Sequence, residues 1–364
     1  MPTSTYLFEK VQYIRWIDAG QVSGIRSQTI YHALGHCRKP GVPDTIVFAK
    51  PTDAYVCIGY FQDAEEQVDL EYCARNGLAV IRREQGGGAV LVDDGQVFVQ
   101  WIFDPKSLPW RVQDRFRLFA QPMIEVLRSY GLDARYVEPN DIQVEGKKIA
   151  GLGAATIGHA EIVTGNFIFH FDCGLMAQIL QAPSEAFRQR FRQRVQQKMT
   201  ALSMWMQRLP PWPELRQRYL GAVQRLWPRA RLECGAFTEE ERTVMRQLDK
   251  EMCSPSWLFH YKKKHATHRI VKVCAQHYIA QLRWPQSGSL LFEIQQERIR
   301  HPQWISDEDA DSPSAIQEIV QHWDGMPVSK LAIPQTAQAI DAEFKQWLEG
   351  CIDKIRRINH TKPK

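Results

Sequence analysis

The 364-residue chain lacks the common signatures of zinc, dinucleotide and serine-nucleophile chemistry. Its eight cysteines, Cys37, Cys57, Cys73, Cys173, Cys234, Cys253, Cys274 and Cys351, contain no CxxC pair. Zinc frameworks are therefore not indicated, and a chain of this length has no need of disulfide staples. Reduced thiols and a cytoplasmic location are expected. His265 and His268 stand close together without partnering cysteines and read as surface residues. There is no Walker A sequence, no GxGxxG after a strand and no Gly-x-Ser-x-Gly elbow. No apolar run approaches a membrane span, and Met1-Pro2-Thr3-Ser4-Thr5 does not open a secretory signal. Excess charge is also scarce. A net +5 permits an anionic ligand or an acidic partner, but it is not the dense basic stripe of a nucleic-acid binder. Neither a membrane nor a nucleic acid is an expected partner.

What remains is an ordinary soluble composition, 44% hydrophobic and 24% charged, in a chain long enough for two domains. Residues 11–17 alternate and read as a strand, and 23–33 as a helix. Strands are expected at 45–49 and 54–60, joined by a Pro51-Thr52-Asp53 turn. A short helix at 67–76, ended by Gly77, leads into a strand at 78–83. Residues 96–103, following Asp93-Asp94-Gly95, predict a hairpin. Further on come a helix over 113–129, a strand at 134–137, a Glu-Gly hairpin around 145–146 and a strand over 161–171. From Cys173 the chain turns mainly helical, with Ser184 as a helix N-cap. Arg188, Arg190, Arg192 and Arg194, spaced by two, predict a solvated helix. Strands return at 269–274, 278–284 and 289–294, then helices at 314–323 and 336–352. This is an α+β pattern. The expected domains are 1–252 and a smaller α+β domain, 253–364, with Ser254-Pro255-Ser256 at the boundary.

Two stretches carry chemistry. In the first, Arg82-Arg83-Glu84-Gln85-Gly86-Gly87-Gly88-Ala89-Val90, three glycines suggest close approach to the main chain, and the arginines suggest an anion, most simply a phosphate. A bulged turn with solvated arginines is the plainer alternative. The second runs from Asn140-Asp141 through Gly146-Lys147-Lys148 to Gly151-Leu152-Gly153-Ala154-Ala155. Strand alternation lets only one of the two lysines face the glycine loop. Lys148 is the choice, with Ala150 and Leu152 as the next residues on its face. Asp141 is either a magnesium ligand or a turn cap.

Together, Arg82-Arg83-x-x-Gly86-Gly87-Gly88-Ala89-Val90 and Asn140-Asp141-Ile142 with Gly146-Lys147-Lys148-Ile149-Ala150-Gly151 resemble the lipoate-protein ligase family of the biotin/lipoate ligase superfamily. Gly59-Tyr60-Phe61-Gln62, Pro183-Ser184-Glu185 and Met199-Thr200-Ala201-Leu202 extend the resemblance. Ser256-Trp257-Leu258-Phe259 and the strands after it are similar to a C-terminal accessory domain. The resemblance implies a mixed-sheet catalytic domain that activates lipoate with ATP to lipoyl-AMP, then transfers the lipoyl group to a carrier-protein lysine. It implies Lys148 as the catalytic cation. It implies an adenylate wall of Arg83, Gly86, Gly87, Gly88, Ala89, Val90 and Leu91, with Gly151 and Ala154 on the other strand and Asn140 nearby. Asp141 is implied as a magnesium ligand. ATP, Mg2+ and lipoate are the implied small molecules, with no tightly bound prosthetic group. A lipoyl-carrier domain is the implied partner, and a monomer is expected. Gln85, Leu91, Val92 and Thr164-Gly165-Asn166 depart from the family pattern, which bears on acyl specificity. An octanoyl- or lipoyltransferase of the same superfamily is the alternative, although no cysteine stands at 137–141, where the transferase pattern places it. A non-catalytic lipoyl-binding module is a third reading.

Overall fold

The computed structural model describes residues 13–262, 268–307, 315–334 and 342–360. Val11, Gln12, Lys263, Lys264 and His265 lie outside them. In chain order the first elements are β1 (Tyr13–Val22), α1 (Gly24–His36), β2 (Asp44–Pro51), β3 (Tyr55–Ile58), α2 (Ala64–Gln67) and α3 (Leu70–Arg75). Then come β4 (Ala79–Arg82), β5 (Val90–Val92), β6 (Gln96–Phe103), α4 (Val112–Ser129), β7 (Ala134–Val137), β8 (Asp141–Val144), β9 (Lys147–Ile157) and β10 (Ala160–Ile168). They are followed by α5 (Cys173–Gln178), α6 (Glu185–Lys198), α7 (Trp212–Leu226), β11 (Arg231–Cys234), α8 (Glu239–Met252) and α9 (Pro255–Leu258). The last are β12 (His268–Cys274), β13 (His277–Trp284), β14 (Gly288–Gln295), β15 (Arg298–Ser306), α10 (Ile316–Trp323) and α11 (Ala342–His360).

The chain forms two compact units. The first comprises residues up to Gln181 and Gln196–Lys262; the second comprises Ala182–Val195 and the chain from Lys263. In the first, an eight-stranded mixed sheet runs β11-β1-β2-β6-β10-β9-β8-β7, and a three-stranded sheet runs β4-β3-β5. Period-two alternation gives the large sheet two apolar faces. On one, Trp101, Val163 and Phe167 meet Phe119, Met123 and Val126 of α4 and Leu215, Tyr219 and Val223 of α7. The buried Trp101 indole donates to the Tyr219 hydroxyl at 3.0 Å, so burying two polar aromatics leaves neither tip stranded. On the other face, Val47, Ile102 and Ile162 meet Ile30, Tyr31 and Leu34 of α1 and Met245, Leu248 and Met252 of α8. The ends of these helices are specified locally. Ser23 caps α1, and Thr238 with Glu241 forms a reciprocal capping box on α8.

The α+β expectation holds, with four corrections. The Asp93–Gly95 turn does not close a hairpin. β5 pairs with β3 in the small sheet, whereas β6 pairs with β2 and β10 in the large one. β2 and β3 likewise part at their turn into different sheets. Ser254 caps α9 rather than ending a domain, because the α9 carbonyl of Leu258 accepts from Arg82 and the Trp257 indole donates to the Arg82 carbonyl. The expected division at 252/253 thus moves beyond α9, and part of α6 joins the second unit.

That second unit holds an antiparallel sheet, β12-β13-β14-β15, whose fourth strand the sequence reading missed. Ala280, Leu282, Phe292 and Ile294 build a core with Trp323 of α10 and Phe344 and Leu348 of α11. The arginines of α6 are not simply solvated. Arg190 donates to the His301 carbonyl and the Gln303 side chain, and Arg194 pairs with the fully buried Glu293.

Candidate functional site

The glycine loop starts where β4 delivers two adjacent arginines, and each is used internally. Arg82 is fully buried, and its guanidinium donates to the carbonyls of Gly59, Tyr60, Gln62 and Leu258. Arg83 donates to the carbonyls of Cys57 at 3.0 Å, Gly86 at 2.8 Å and Gly88 at 2.9 Å. A planar fork of donors suits this work, since one guanidinium can hold several carbonyls at fixed angles. The expected nucleotide-contacting arginine is therefore, in this structure, the clamp that shapes the loop.

Close packing explains two of the glycines. A Cβ on Gly59 would stand 2.2 Å from the Gly87 carbonyl oxygen, and Gly87 has φ of +101°. Gly86, Gly87, Gly88 and Val90 are exposed, and Ala89 is half-buried. Leu91 turns inward at 2% exposure, and Val92 packs with Tyr55, Cys57 and Ile81. From α1, the fully buried His32 accepts the Glu84 backbone N–H at its Nε2, 3.1 Å away, while Nδ1 donates to the Gln28 carbonyl at 2.7 Å. These two bonds fix a neutral tautomer, and burial lowers the His32 pKa to about 4. Burial likewise raises the Glu84 carboxyl, whose Oε1 lies 3.6 Å from His36 Nε2.

The opposing wall is β9, and a bulge decides which lysine it presents. Asp141 pairs with Gly151 and Ile142 with Ala150, but Gln143 pairs with Lys148. Ile149 is the extra residue. It breaks the alternation, so Lys148 shares a face with Gly151 and Gly153. The expectation that Ala150 and Leu152 share its face is overturned. Both lie in the α4-side core, and Ala154 packs against that core too. Lys148 Nζ meets Asp141 Oδ1 at 2.9 Å, above Gly151, where a Cβ would lie 3.0 Å from the ammonium. Asp141 is fully buried, and the Lys148 side chain is 18% exposed. Asp141 is thus the counter-ion of Lys148. Among the described residues no group of three or more His, Cys, Asp and Glu side chains could hold a metal. Asn140 clasps the same strand. Its Nδ2 donates to the Leu152 carbonyl at 2.6 Å, and its carbonyl accepts the Leu152 N–H at 2.8 Å. Thr200 N–H donates to the Lys148 carbonyl at 2.8 Å, holding the lysine backbone from its outer side.

Along the same face, Gly153 pairs with Thr164 of β10, and Thr164 pairs with Gln100 of β6. Gln85 reaches over from the glycine loop, and its Oε1 accepts the Thr164 hydroxyl at 3.1 Å. The two motifs therefore meet. Gly151 and Gly153 form a floor, with a charged pair over one and a carboxamide over the other. Sequence reasoning missed His32 and Gln100, which nothing local marked, and it read Arg82 with Arg83 as facing an anion, whereas Arg82 is taken up by backbone carbonyls.

Neither Cys57 nor Cys73 is an activated thiol. Cys57, beneath the loop, is fully buried, and burial pushes its thiol above the ordinary range. Cys73 is pushed up to about 11 for the same reason.

Residues 29–224 match the model of the lipoyl protein ligase A/B catalytic domain. The chain is 25% identical over 261 residues to the octanoyltransferase LipM of Anoxybacillus flavithermus, covering 65% of this chain and 94% of that protein. It is 29% identical over 217 residues to lipoate-protein ligase A subunit 1 of Thermoplasma acidophilum, covering 56% of this chain and 80% of that one. Among solved structures, the bipartite lipoate protein ligase of the T. acidophilum lipoylation system, described with its E2 lipoyl domain, superposes with a TM-score of 0.63. That match is 26% identical and covers 70% of this chain and 99% of the other. A lipoate-protein ligase A bound with ATP shares the fold at a TM-score of 0.57 and 23% identity, over 68% of this chain and 98% of its own.

Proposed function

This chain belongs to the lipoyl protein ligase A/B catalytic domain family, and we propose that it is an ATP-dependent lipoate-protein ligase. In this reading the carboxylate of lipoate, or of a similar medium-chain acid, displaces pyrophosphate from the α-phosphate of ATP to give the acyl-adenylate, and the acyl group then passes to a lysine of a lipoyl domain. The observation that carries the proposal is the placement of Lys148 and Asp141 over Gly151, on the strand whose Gly153 meets Gln85 of the glycine loop. Forming the mixed anhydride brings a carboxylate oxygen onto an α-phosphate, and both are anionic. One cation between them stabilises the charge that develops while the floor keeps the pair aligned. Lys148 serves as that cation. Asp141 holds the ammonium in place before substrate arrives. The bare backbone of Gly86–Gly88, braced by Arg83, lies against the phosphate side. The acceptor lysine then attacks the acyl carbon and AMP leaves. Magnesium has no preassembled carboxylate cluster among the described residues.

A second reading is supported by the relatives named octanoyltransferase, one of which this chain covers over 94% of its length. A transferase working through a thioester needs an accessible thiolate. Cys57 sits close to the loop, but it is buried and its thiol is pushed up, which favours the ligase reading.

The experiment is mass spectrometry of a lipoyl domain incubated with the protein, lipoate or octanoate, ATP and magnesium. The ligase reading expects one added acyl group that requires ATP, and pyrophosphate exchange that requires the acid. Modification from an octanoyl thioester without ATP, with no exchange, would replace it by the transferase reading.

A further inference from the structure

A cavity of about 390 Å³, the size of a small-molecule site, lies beside the arginine-glycine stretch and takes no part in the chemistry above. Adjacent side chains of that stretch diverge. Gln85 reaches Thr164 of β10, whereas the Glu84 carboxylate turns to His36 at the end of α1. The cavity is on the second side. Val244, Leu248 and Glu251, at helical spacing on α8, form one wall, and Met252 and Trp257 continue it.

The lining is apolar where it is buried and acidic where it is open. Leu248 and Met252 are buried, and Glu251 is exposed. The Trp257 indole donates its one N–H to the Arg82 carbonyl at 3.0 Å, so only ring carbons remain for the cavity. The two carboxylates have no permanent cation. Of the acids on α8, Glu239, Glu240, Glu241 and Asp249 pair with Arg246, Lys39, Arg15 and Arg26. Glu251, the acid that lines the cavity, has no ion pair among the described residues. Glu84 has only the His36 imidazole, 3.6 Å away, which is a cation only when protonated. Burial raises the Glu84 carboxyl; His36 opposes the rise, and the charge of Glu251 adds to it. The two acids thus sense each other across a space that holds no lysine or arginine.

We propose that this cavity is an effector site for a small organic cation, an ammonium or guanidinium on an aliphatic stem: Glu84 and Glu251 take the head, and Leu248, Met252 and Trp257 take the stem. Charge-assisted hydrogen bonds to two carboxylates select the head, and the apolar wall selects against a bare inorganic ion. A carboxylic acid is repelled, so the site does not duplicate the acyl floor. Occupancy reaches the glycine loop through Glu84. Its backbone N–H is fixed on His32, and Gln85 and the three glycines follow it directly. A cation that immobilises the Glu84 side chain steadies the root of the loop from the side away from Gly153. The inference does not depend on the acyl-transfer reading.

The probe is n-hexylammonium, titrated calorimetrically into the whole protein without ATP or carrier, with 1-hexanol as its uncharged counterpart. The expected result is one site per chain, with hexylammonium bound at least about tenfold more tightly than hexanol. Glu251→Gln alters an exposed, unpaired side chain and should keep the melting temperature while raising the Kd about tenfold. Glu84→Gln should do the same to the Kd. Glu240→Gln removes the same charge from the same helix outside the cavity and should leave the Kd unchanged. At saturation, hydrogen exchange at the amides of residues 84–88 should slow. Equal affinity for hexanol, a Kd indifferent to Glu251→Gln, an equal loss in Glu240→Gln or displacement of the cation by octanoate overturns the site. Binding without any change in exchange at 84–88 overturns its role as an effector. A protein that binds the cation but never modifies a lipoyl domain would overturn the proposed function and leave this inference standing. One that modifies the domain and ignores the cation would do the reverse.

Discussion

Asp141 in the first unit and Glu293 in the second are both fully buried carboxylates with a cation beside them. Glu293 is saturated. His277 Nε2 lies 2.8 Å from it, Gln295 donates at 2.8 Å, and Arg194 donates through Nε and pairs through a second nitrogen at 2.9 Å. Burial alone would raise its pKa, yet these bonds hold it at about 2. Asp141 pairs with a primary amine that keeps 18% exposure and three rotatable donors. The first arrangement leaves no capacity for a ligand and fastens α6 to the accessory sheet. The second keeps a cation anchored and available. Burial of charge alone does not distinguish a site from a strut; the number of donors and acceptors left over does.

The strongest way to break the comparison is to remove the cation. Lys148→Met removes the counter-ion of the buried Asp141 and should cost about 3–5 kcal/mol of stability in addition to activity. The double variant Lys148→Met with Asp141→Asn removes that burden. It should remain folded by circular dichroism and lose at least about a thousandfold in acyl transfer. Near-normal transfer by the double variant would make the pair structural, like its counterpart. Next, Glu293→Gln breaks the saturated network and should cost about 3 kcal/mol in urea denaturation. Acyl transfer per folded molecule should stay near the unaltered value, and a catalytic collapse without unfolding would contradict the assignment as a strut.

Acid should separate the units in order. His32 is held neutral at about 4, below its ordinary 6.5. Below pH 6.5 the unfolded chain therefore binds a proton that the folded one refuses. Stability is complete above pH 6.5 and falls as pH drops toward 4. Glu293 is depressed from 4.5 to about 2, so its contribution is intact above pH 4.5 and is lost as pH falls toward 2. Hydrogen exchange at the Glu84 amide should speed up in the first window, while the β14 amides hold until the second. The smallest effect is expected for Gly153→Ala. Its Cβ would press on a movable carboxamide oxygen at 2.9 Å, which predicts about 1 kcal/mol of destabilisation by thermal melting.

Much of this was legible in the residues. The triglycine and the Lys-Lys hairpin signalled close backbone approach and an anion-facing cation, and strand and helix periods located most elements. The bulge at Ile149 was not legible, because an inserted residue leaves no mark in an apolar run; only pairing with β8 exposes it. Asp93-Asp94-Gly95 correctly marked a turn, but turn chemistry does not say which sheet each flanking strand joins. The arginines of α6 looked solvated because their acceptors, Glu293 and Gln303, come from about a hundred residues further along the chain. Arg83 was read as facing outward to a ligand. The loop's own carbonyls are the nearer acceptors and take it first.

The course of α6 bears on how this protein can be divided. Its first residues are counted in the second unit and its last in the first, so the accessory unit is an insertion as well as a tail. Cutting the chain after Lys262 would leave Arg190 and Arg194 without His301, Gln303 and Glu293, and Ser184 without Gln281. A severed catalytic fragment would thus carry a helix built for a neighbour it no longer has. Clean excision needs two incisions, the other joining Gln181 to Gln196. Gain or loss of the accessory unit by a single terminal event would leave that helix orphaned, which ties the two parts of the chain to a common history.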